Sequence, residues 1–349
     1  MSRHRVAVIG CGDVSAVHLA AIDQNDAVEL VGVCDPDDGR RTAAEQATGV
    51  PGYPDVRSLL DDVAPDAVHI CTPHDQHAGP AIEALDRGIH VLLEKPLAES
   101  LFAADEIIRA ADRSSATLGV CFQNRYNPPV QRLRELLSCD SIGEVRSVNA
   151  TVMWSRTDDY YASRPWRGRW ECGGGGLLMN QAIHTVDLLL WLFGPARSVQ
   201  GGIGNRAHPL VDVEDTADMV ITHDSDVRSV LFATVANGAN DPVALVIQAE
   251  SACLRLAGGL HVEWADGRTE TVDADVSSGA RSYWGVSHRA LIDDFYRSLN
   301  ARESFWIDGR TARTSIAVIK DVYRQAGRPA VGVVEHPARG MEERKEADA

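Results

Sequence analysis

The chain has 349 residues, enough for two domains with ample cores. It is 44% hydrophobic and 24% charged, the balance of an ordinary globular protein. Its formal charge of −16 argues against nucleic acid and anionic membranes as partners, because both attract basic surfaces. A small anionic ligand stays compatible, since a local site need not follow the global sign. The seven cysteines are odd in number, form no C-x-x-C pair and several sit in apolar runs, which points to reduced thiols and a cytoplasmic setting. No long apolar region precedes Gly10, so no signal peptide is expected. No apolar run is expected to reach the ~20 residues of a membrane span.

The first third alternates strands and helices. Arg5–Ile9 is a strand by composition, followed by the turn Gly10-Cys11-Gly12-Asp13-Val14-Ser15 and a helical run from Ala16 to Gln24. Two glycines of a G-x-G-x-x-G turn are present, and Ser15 replaces the third. Gly10 permits the tight turn, and Gly12 lets a pyrophosphate approach N–H groups at the start of a helix. Gly10, Gly12, Asp13 and Val14 are therefore cofactor-binding candidates. A second strand, Val28–Cys34, ends on Asp35, 23 residues after Gly12. That spacing suits an acid that accepts hydrogen bonds from the ribose hydroxyls of NAD and repels the 2′-phosphate of NADP. Arg40 and Arg41 are near enough to keep NADP open. The competing reading is a solvated acid before Pro36.

Helices over 39–48, 56–63 and 76–87 alternate with strands over 67–71 and 89–93. The strand at 89–93 stops on Glu94-Lys95-Pro96, since proline cannot continue a ladder. Its carboxyl end is where open α/β sheets bind ligands. A helix over 101–111 and a strand over 117–122 complete a doubly wound parallel sheet.

Gly10-x-Gly12, Thr72-Pro73 with His77, and Glu94-Lys95-Pro96, in this order, resemble the Gfo/Idh/MocA oxidoreductases. The resemblance implies an α/β protein: an N-terminal Rossmann domain over 1–122 and a C-terminal α+β domain over 123–335. The second domain would carry a large, open-faced, mostly antiparallel sheet. It also implies that Thr72 and Pro73 lie beside the cofactor, with His77 and Glu94 near it, and that Lys95 reaches both nicotinamide ribose and substrate. Glu94 is expected to support the lysine rather than to react. His74 and His77 form an H-x-x-H, but no further cysteine or acid cluster completes a metal set, so a capping or cofactor-side role is expected. No metal is expected.

All seven tryptophans lie beyond residue 150. Strands are expected over 143–155, 217–223, 228–235, 243–249, 252–256 and 260–264, forming an antiparallel sheet with one face free for helices or a partner subunit. The resemblance supports a homo-oligomer, dimer or tetramer, built on that face. The run Gly173–Gly176 precedes a helix that continues to about Phe193. Asn180, His184 and Asp187 stand at i, i+4 and i+7 and would share a face. This run resembles the family's second signature, with Asn180 where an acid is usual. A carboxamide cannot take a proton, so proton transfer would rest on Lys95 and His184. Burial beside a cationic nicotinamide would lower the Lys95 pKa from its ordinary value. For Asp187 an anchoring role competes with substrate contact.

Trp154, Tyr160, Tyr161, Trp166 and Trp170 cluster with Arg156, Arg164, Arg167 and Arg169. Aromatic faces suit sugar C–H faces, and arginines suit hydroxyls or anions. The plainer reading is a long loop anchored by its aromatics. Arg125 and Tyr126, after the last parallel strand, would also face the crevice, so the substrate-binding candidates are Asn180, Asp187, Arg125, Tyr126, Trp166 and Arg167. An amphipathic helix is expected over 283–300; His288 on it could reach the site, and packing is the expected role. A last helix follows over 311–325, and a charged tail over 336–349 is expected to fray. The implied activity is hydride transfer between NAD, or NADP, and a secondary alcohol of a sugar, nucleotide-sugar or cyclitol. Two rivals are a non-catalytic dinucleotide sensor and a glycosidase that oxidises its substrate transiently with bound NAD.

Overall fold

The computed structural model describes residues 3–139, 141–273 and 287–328. The N-terminal sheet holds β1 (His4–Ile9), β2 (Val28–Cys34), β3 (Gly52–Tyr53), β4 (Ala67–Ile70), β5 (His90–Glu94) and β6 (Leu118–Cys121). Their spatial order is β3-β2-β1-β4-β5-β6, and every pair is parallel. The connecting helices are α1 (Ser15–Asp23), α2 (Asp38–Thr48), α3 (Val56–Val63), α4 (Ala78–Asp86) and α5 (Leu101–Arg113). Strand order reverses between β1 and β4, so the carboxyl ends of these two strands open the crevice. Continuous apolar runs such as Val6–Ile9 and Val91–Leu93 are almost wholly buried, as a sheet covered on both faces requires. Aspartate or serine caps start three of these connecting helices: the side chains of Asp37, Asp55 and Ser100 accept from the N–H groups of Arg40, Ser58 and Ala103.

The second sheet has eight strands in the order β14-β13-β12-β11-β7-β10-β9-β8. They are β7 (Val145–Met153), β8 (Ala196–Gly204), β9 (Thr216–His223), β10 (Arg228–Thr234), β11 (Ala244–Ala249), β12 (Ala252–Ala257), β13 (Gly259–Trp264) and β14 (Thr269–Val272). All neighbours are antiparallel except β7 and β10, which run parallel. Strands β8 and β14, not expected from the sequence, form its two edges. Helices α6 (Pro128–Ser138), α9 (Ile183–Phe193), α10 (His288–Ala301) and α11 (Gly309–Gln325) complete the framework, with short turns α7 (Asp158–Ala162) and α8 (Trp170–Gly173) in the loop after β7. Alternation along β10 buries Leu231 and Ala233 and turns Val230 and Phe232 outward, about 40% exposed, leaving one face open. Helix α11 packs on β8, α9 and α5, and α10 packs on α1. The two C-terminal helices thus return to the first domain, where the Val120 amide also donates to the Ile307 carbonyl at 2.9 Å.

The expected start of the penultimate helix at Tyr283 and the expected tail from His336 lie outside the described residues. The run 170–193 is, by length and composition, long and apolar enough to cross a membrane, yet 83% of its most apolar window is buried inside the fold. It comprises α8, a glycine bend, a π turn and α9, packed in the core of the second domain.

Candidate active site

At the first turn, Gly10 has φ +91°, and a Cβ there would lie 2.8 Å from the Cys71 carbonyl, so β1 and β4 approach only over a glycine. Gly12 is different: a Cβ there would meet nothing within 4 Å. Its backbone faces open space at the start of α1, and no side chain caps that helix. The uncovered N–H groups are what an anionic pyrophosphate needs. The Ser15 hydroxyl donates to the Gly12 carbonyl at 2.6 Å, which bolts the turn where the motif has its third glycine. Asp35 is buried at the end of β2, and its two carboxylate oxygens accept from the Cys11 and Asp37 amides at 2.8 and 2.9 Å. Each oxygen keeps a lone pair for ribose hydroxyls. Arg41 turns away, donating to the Asp35 carbonyl and pairing with Asp38, whereas Arg40 lines the crevice. The residues present therefore fit an adenine dinucleotide.

From this turn a crevice of about 580 Å³ runs between the domains. Asp13, Val14, Thr72 and Pro73 line it near the turn, and Lys95, Asn180 and His184 line it further in. Lys95 follows the last residue of β5, and its Nζ donates to the main-chain carbonyl of Asn180 at 2.9 Å. Desolvation lowers the Lys95 pKa, and the Arg167 guanidinium adds to that. Burial, followed by the Lys95 charge, holds His184 well below its ordinary value, so it is neutral at pH 7. Among the described residues its Nδ1 is buried without a hydrogen-bond partner.

Residues 178–182 form a π turn before α9 begins. This wider turn keeps Asn180 and His184 together at the crevice. The Asn180 carboxamide donates to the Tyr160 hydroxyl at 3.0 Å, as does that of Gln181 at 2.9 Å, and Asn180 lines the crevice. The preceding glycines serve packing. A Cβ at Gly174 would stand 2.1 Å from the Glu99 carbonyl, and one at Gly175 would stand 2.2 Å from the Tyr323 hydroxyl. Glu214 then accepts from the Gly176 and Leu178 amides, both at 2.8 Å, and caps the run.

The aromatic–arginine loop crosses the crevice. Arg164 and Arg167 pair with Asp13 at 3.1 and 3.4 Å, tying the second domain to the glycine turn. Arg167 also lies 4.3 Å over the Tyr160 ring, and Trp166 packs edge-on against His74 at 4.7 Å. Trp166 and Arg167 thus line the crevice as expected.

Three expected substrate contacts do not. Arg125 and Asp187 are both buried and joined by two hydrogen bonds, 2.8 and 2.6 Å, beneath the rings of Phe122, Trp191 and Trp306. The one-turn helix Gln123–Tyr126 turns Gln123 into the crevice and Arg125 into the core. Asp187 therefore anchors α9 rather than sharing the ligand-facing side with His184. Burial pushes its carboxyl upward while the Arg125 fork opposes that. Tyr126 donates to Asp294 at 2.6 Å and borders a separate surface cleft. His77 is also displaced from direct contact: fully buried, it bonds the Pro96 and Thr72 carbonyls at 2.8 and 3.0 Å and braces the loops around the crevice.

Glu94 differs too. Its side chain does not hold the Lys95 ammonium; Oε2 accepts from the Lys95 amide at 3.2 Å, and Oε1 faces His18 at 3.0 Å and His288 at 3.2 Å. His18 and His288 are contacts that periodicity missed. Both sit on helices as solitary histidines, far apart in sequence, and no local spacing marks them. The ligand atoms of His18, Glu94 and His288 lie within 4.8 Å of one another.

A nucleotide-binding domain whose crevice is closed by a second, sheet-based domain defines a two-domain dinucleotide-binding protein with a lysine inside the crevice. Residues 4–122 match the model of the oxidoreductase family with an NAD-binding Rossmann fold, and residues 130–255 match the GFO/IDH/MocA C-terminal domain. The chain belongs to the Gfo/Idh/MocA oxidoreductase family. It is similar to the WlbA dehydrogenase of Bordetella pertussis, solved with NADH and UDP-GlcNAcA: 30% identity, TM-score 0.82, covering 93% of this chain and 97% of that one. It is 29% identical over 243 residues to a D-apiose dehydrogenase of Paraburkholderia graminis, 68% of this chain and 62% of that protein. It is 31% identical over 195 residues to the D-glucoside 3-dehydrogenase of Escherichia coli, 54% of each. The chain thus spans less than two thirds of the length of these two curated relatives.

Proposed function

We propose that the protein is an NAD-dependent dehydrogenase acting on a secondary alcohol of a sugar, nucleotide-sugar or cyclitol. The observation that carries this reading is the meeting of Lys95, Asn180 and His184 in the crevice that begins at Gly12 and Asp35. Bound NAD supplies the hydride acceptor. Every other task falls to side chains. The Gly12 turn and α1 hold the pyrophosphate, and Asp35 holds the adenosine ribose. Asn180 Oδ1 accepts from one substrate hydroxyl, and Trp166 with Tyr160 offers flat faces to the sugar ring. As the carbon loses hydride, the single hydroxyl proton passes to the neutral amine form of Lys95, which burial favours, or to the neutral imidazole of His184. In reduction the same groups return it.

The relatives named for an apiose and a glucoside, and the WlbA dehydrogenase bound to UDP-GlcNAcA, support a carbohydrate substrate. The crossing arginines Arg164 and Arg167 favour an anionic or nucleotide-linked sugar among these. Outward Val230 and Phe232 on β10 support a homo-oligomer formed through the open sheet. Following absorbance at 340 nm over sugars, inositols and nucleotide-sugars, with NAD and NADP in parallel, tests the reading. Growth of NADH with at least one carbohydrate is expected. Release of a free sugar with no net NADH would place the chain with the transient-oxidation glycosidases instead.

A further inference from the structure

The buried face of Glu94 leads away from the reacting groups through a line of hydrogen-bonded side chains. The Tyr296 hydroxyl lies 2.7 Å from His69 Nε2. His69 Nδ1 lies 2.9 Å from His18 Nδ1, and His18 Nε2 lies 3.0 Å from Glu94 Oε1. That oxygen also faces His288 Nε2 at 3.2 Å. All five side chains are buried, and none of them figures in the proposed hydride transfer.

The proton positions along this line follow from one constraint. An ionised carboxylate only accepts, so both Nε2 atoms facing Glu94 carry hydrogen. His18 Nδ1 is then the lone pair that receives the Nδ1–H of His69, and His69 Nε2 receives the Tyr296 hydroxyl. Every donor along this line then has one acceptor. The ionised state of Glu94 is supported by the two imidazole donors, which hold its carboxyl well below its ordinary value despite burial. Burial keeps His69 neutral and Tyr296 protonated. With Nε2–H committed to Glu94, the neutral form of His288 presents an unprotonated Nδ1. That atom is buried, has no partner among the described residues, and belongs to a ring that lines the same crevice as Lys95 and His184.

We propose that His288 is a further substrate-contacting residue, whose Nδ1 accepts a hydrogen bond from a substrate hydroxyl beside the reacting carbon, and that Glu94 is the positioning residue that fixes this tautomer. The proposal rests on the carbohydrate dehydrogenase reading for the identity of the donor, not for the tautomer. It assigns Glu94 a task distinct from lysine support, and it turns an apparently packed histidine into a determinant of which hydroxyl pattern is accepted. A cation held by His18, Glu94 and His288 is the competing arrangement.

The test reads two quantities on the full-length protein. Histidine ¹⁵N–¹H correlation spectra, assigned with His288→Leu, report which ring nitrogen carries hydrogen. An unprotonated Nδ1 and protonated Nε2 are expected for His288, with the preference lost in Glu94→Gln. For whichever sugar the 340 nm screen selects, His288→Leu should lower kcat/KM roughly tenfold or more, as loss of a buried hydrogen-bond partner does. NADH affinity, read by fluorescence titration, should stay within about twofold. His288→Asn, which keeps an acceptor near the Nδ1 position, should recover part of the loss. A protonated Nδ1, unchanged kcat/KM in His288→Leu, or stoichiometric zinc in the purified protein that leaves with either histidine would overturn the proposal. A screen with no turnover would instead sink the functional reading, while the spectra still decide the tautomer.

Discussion

Lys95 and Asn180 are 85 positions apart in sequence, and the lysine Nζ donates to the asparagine main-chain carbonyl at 2.9 Å. The bond joins the end of β5 in the nucleotide-binding sheet to the π turn of the second domain. It uses the backbone of Asn180, so the position of the ammonium does not depend on whether residue 180 is an acid or an amide. The carboxamide is left to Tyr160 and the ligand. Asn180 in place of an acid therefore changes who can take a proton without moving the lysine.

Replacing Lys95 removes the polar group nearest both domains' contributions. Lys95→Met should lower kcat roughly 10²–10⁴-fold, the range for loss of a general acid–base group. NADH binding, followed by fluorescence titration, should change little, because the pyrophosphate and ribose contacts are proposed at Gly12 and Asp35. Full turnover in this variant would remove Lys95 from the chemistry.

The lowered pKa of Lys95 fixes the direction of the pH profile. Alcohol oxidation needs a proton acceptor, so kcat/KM should rise with pH along a limb centred below the ordinary lysine value of about 10.4. Carbonyl reduction should fall along the same limb. Initial rates across pH 6 to 10 in both directions measure it, and a flat profile would exclude the lysine as the titrating group.

Buried histidines set stability in acid. His69, His74 and His77 are held below their ordinary value, mainly by burial, so the unfolded chain binds protons that the folded chain refuses. Stability should therefore fall as pH drops below about 6.5. Urea unfolding at pH 7 and pH 5 reads the difference, and equal midpoints would contradict it.

The Arg125–Asp187 pair predicts a stability effect where sequence suggested a substrate effect. Asp187→Ala leaves a guanidinium buried without its partner and should cost about 3–5 kcal/mol. KM of the folded fraction should be nearly unchanged. The double replacement Arg125→Met with Asp187→Leu should restore much of the stability, and a selective rise in KM for either single variant would return these residues to the substrate site.

Much of the first domain was legible because its signals are local. The strand–glycine–helix run at 5–24, the acid at Asp35 and the proline stop after Lys95 each need only a few neighbours, and each appears where the spacing put it. The open sheet was legible through alternation, except at β8, whose glycines and charges weaken the period-two pattern, and at β14, a four-residue edge strand. The aromatic–arginine loop was recognisable by composition, but its pairing with Asp13 was not.

The sequence by itself determined the strand order's raw material, the dinucleotide turn and the lysine at a strand end, because backbone stereochemistry and hydrophobic period act over a few residues. Only the tertiary structure decided which polar groups face the ligand. Arg125 and Asp187 satisfy each other in the core, Tyr126 turns to Asp294, and Glu94 turns to His18 and His288. A buried charge or imidazole must find a partner, and the partner within reach is set by how helices and strands distant in sequence pack, not by spacing along the chain.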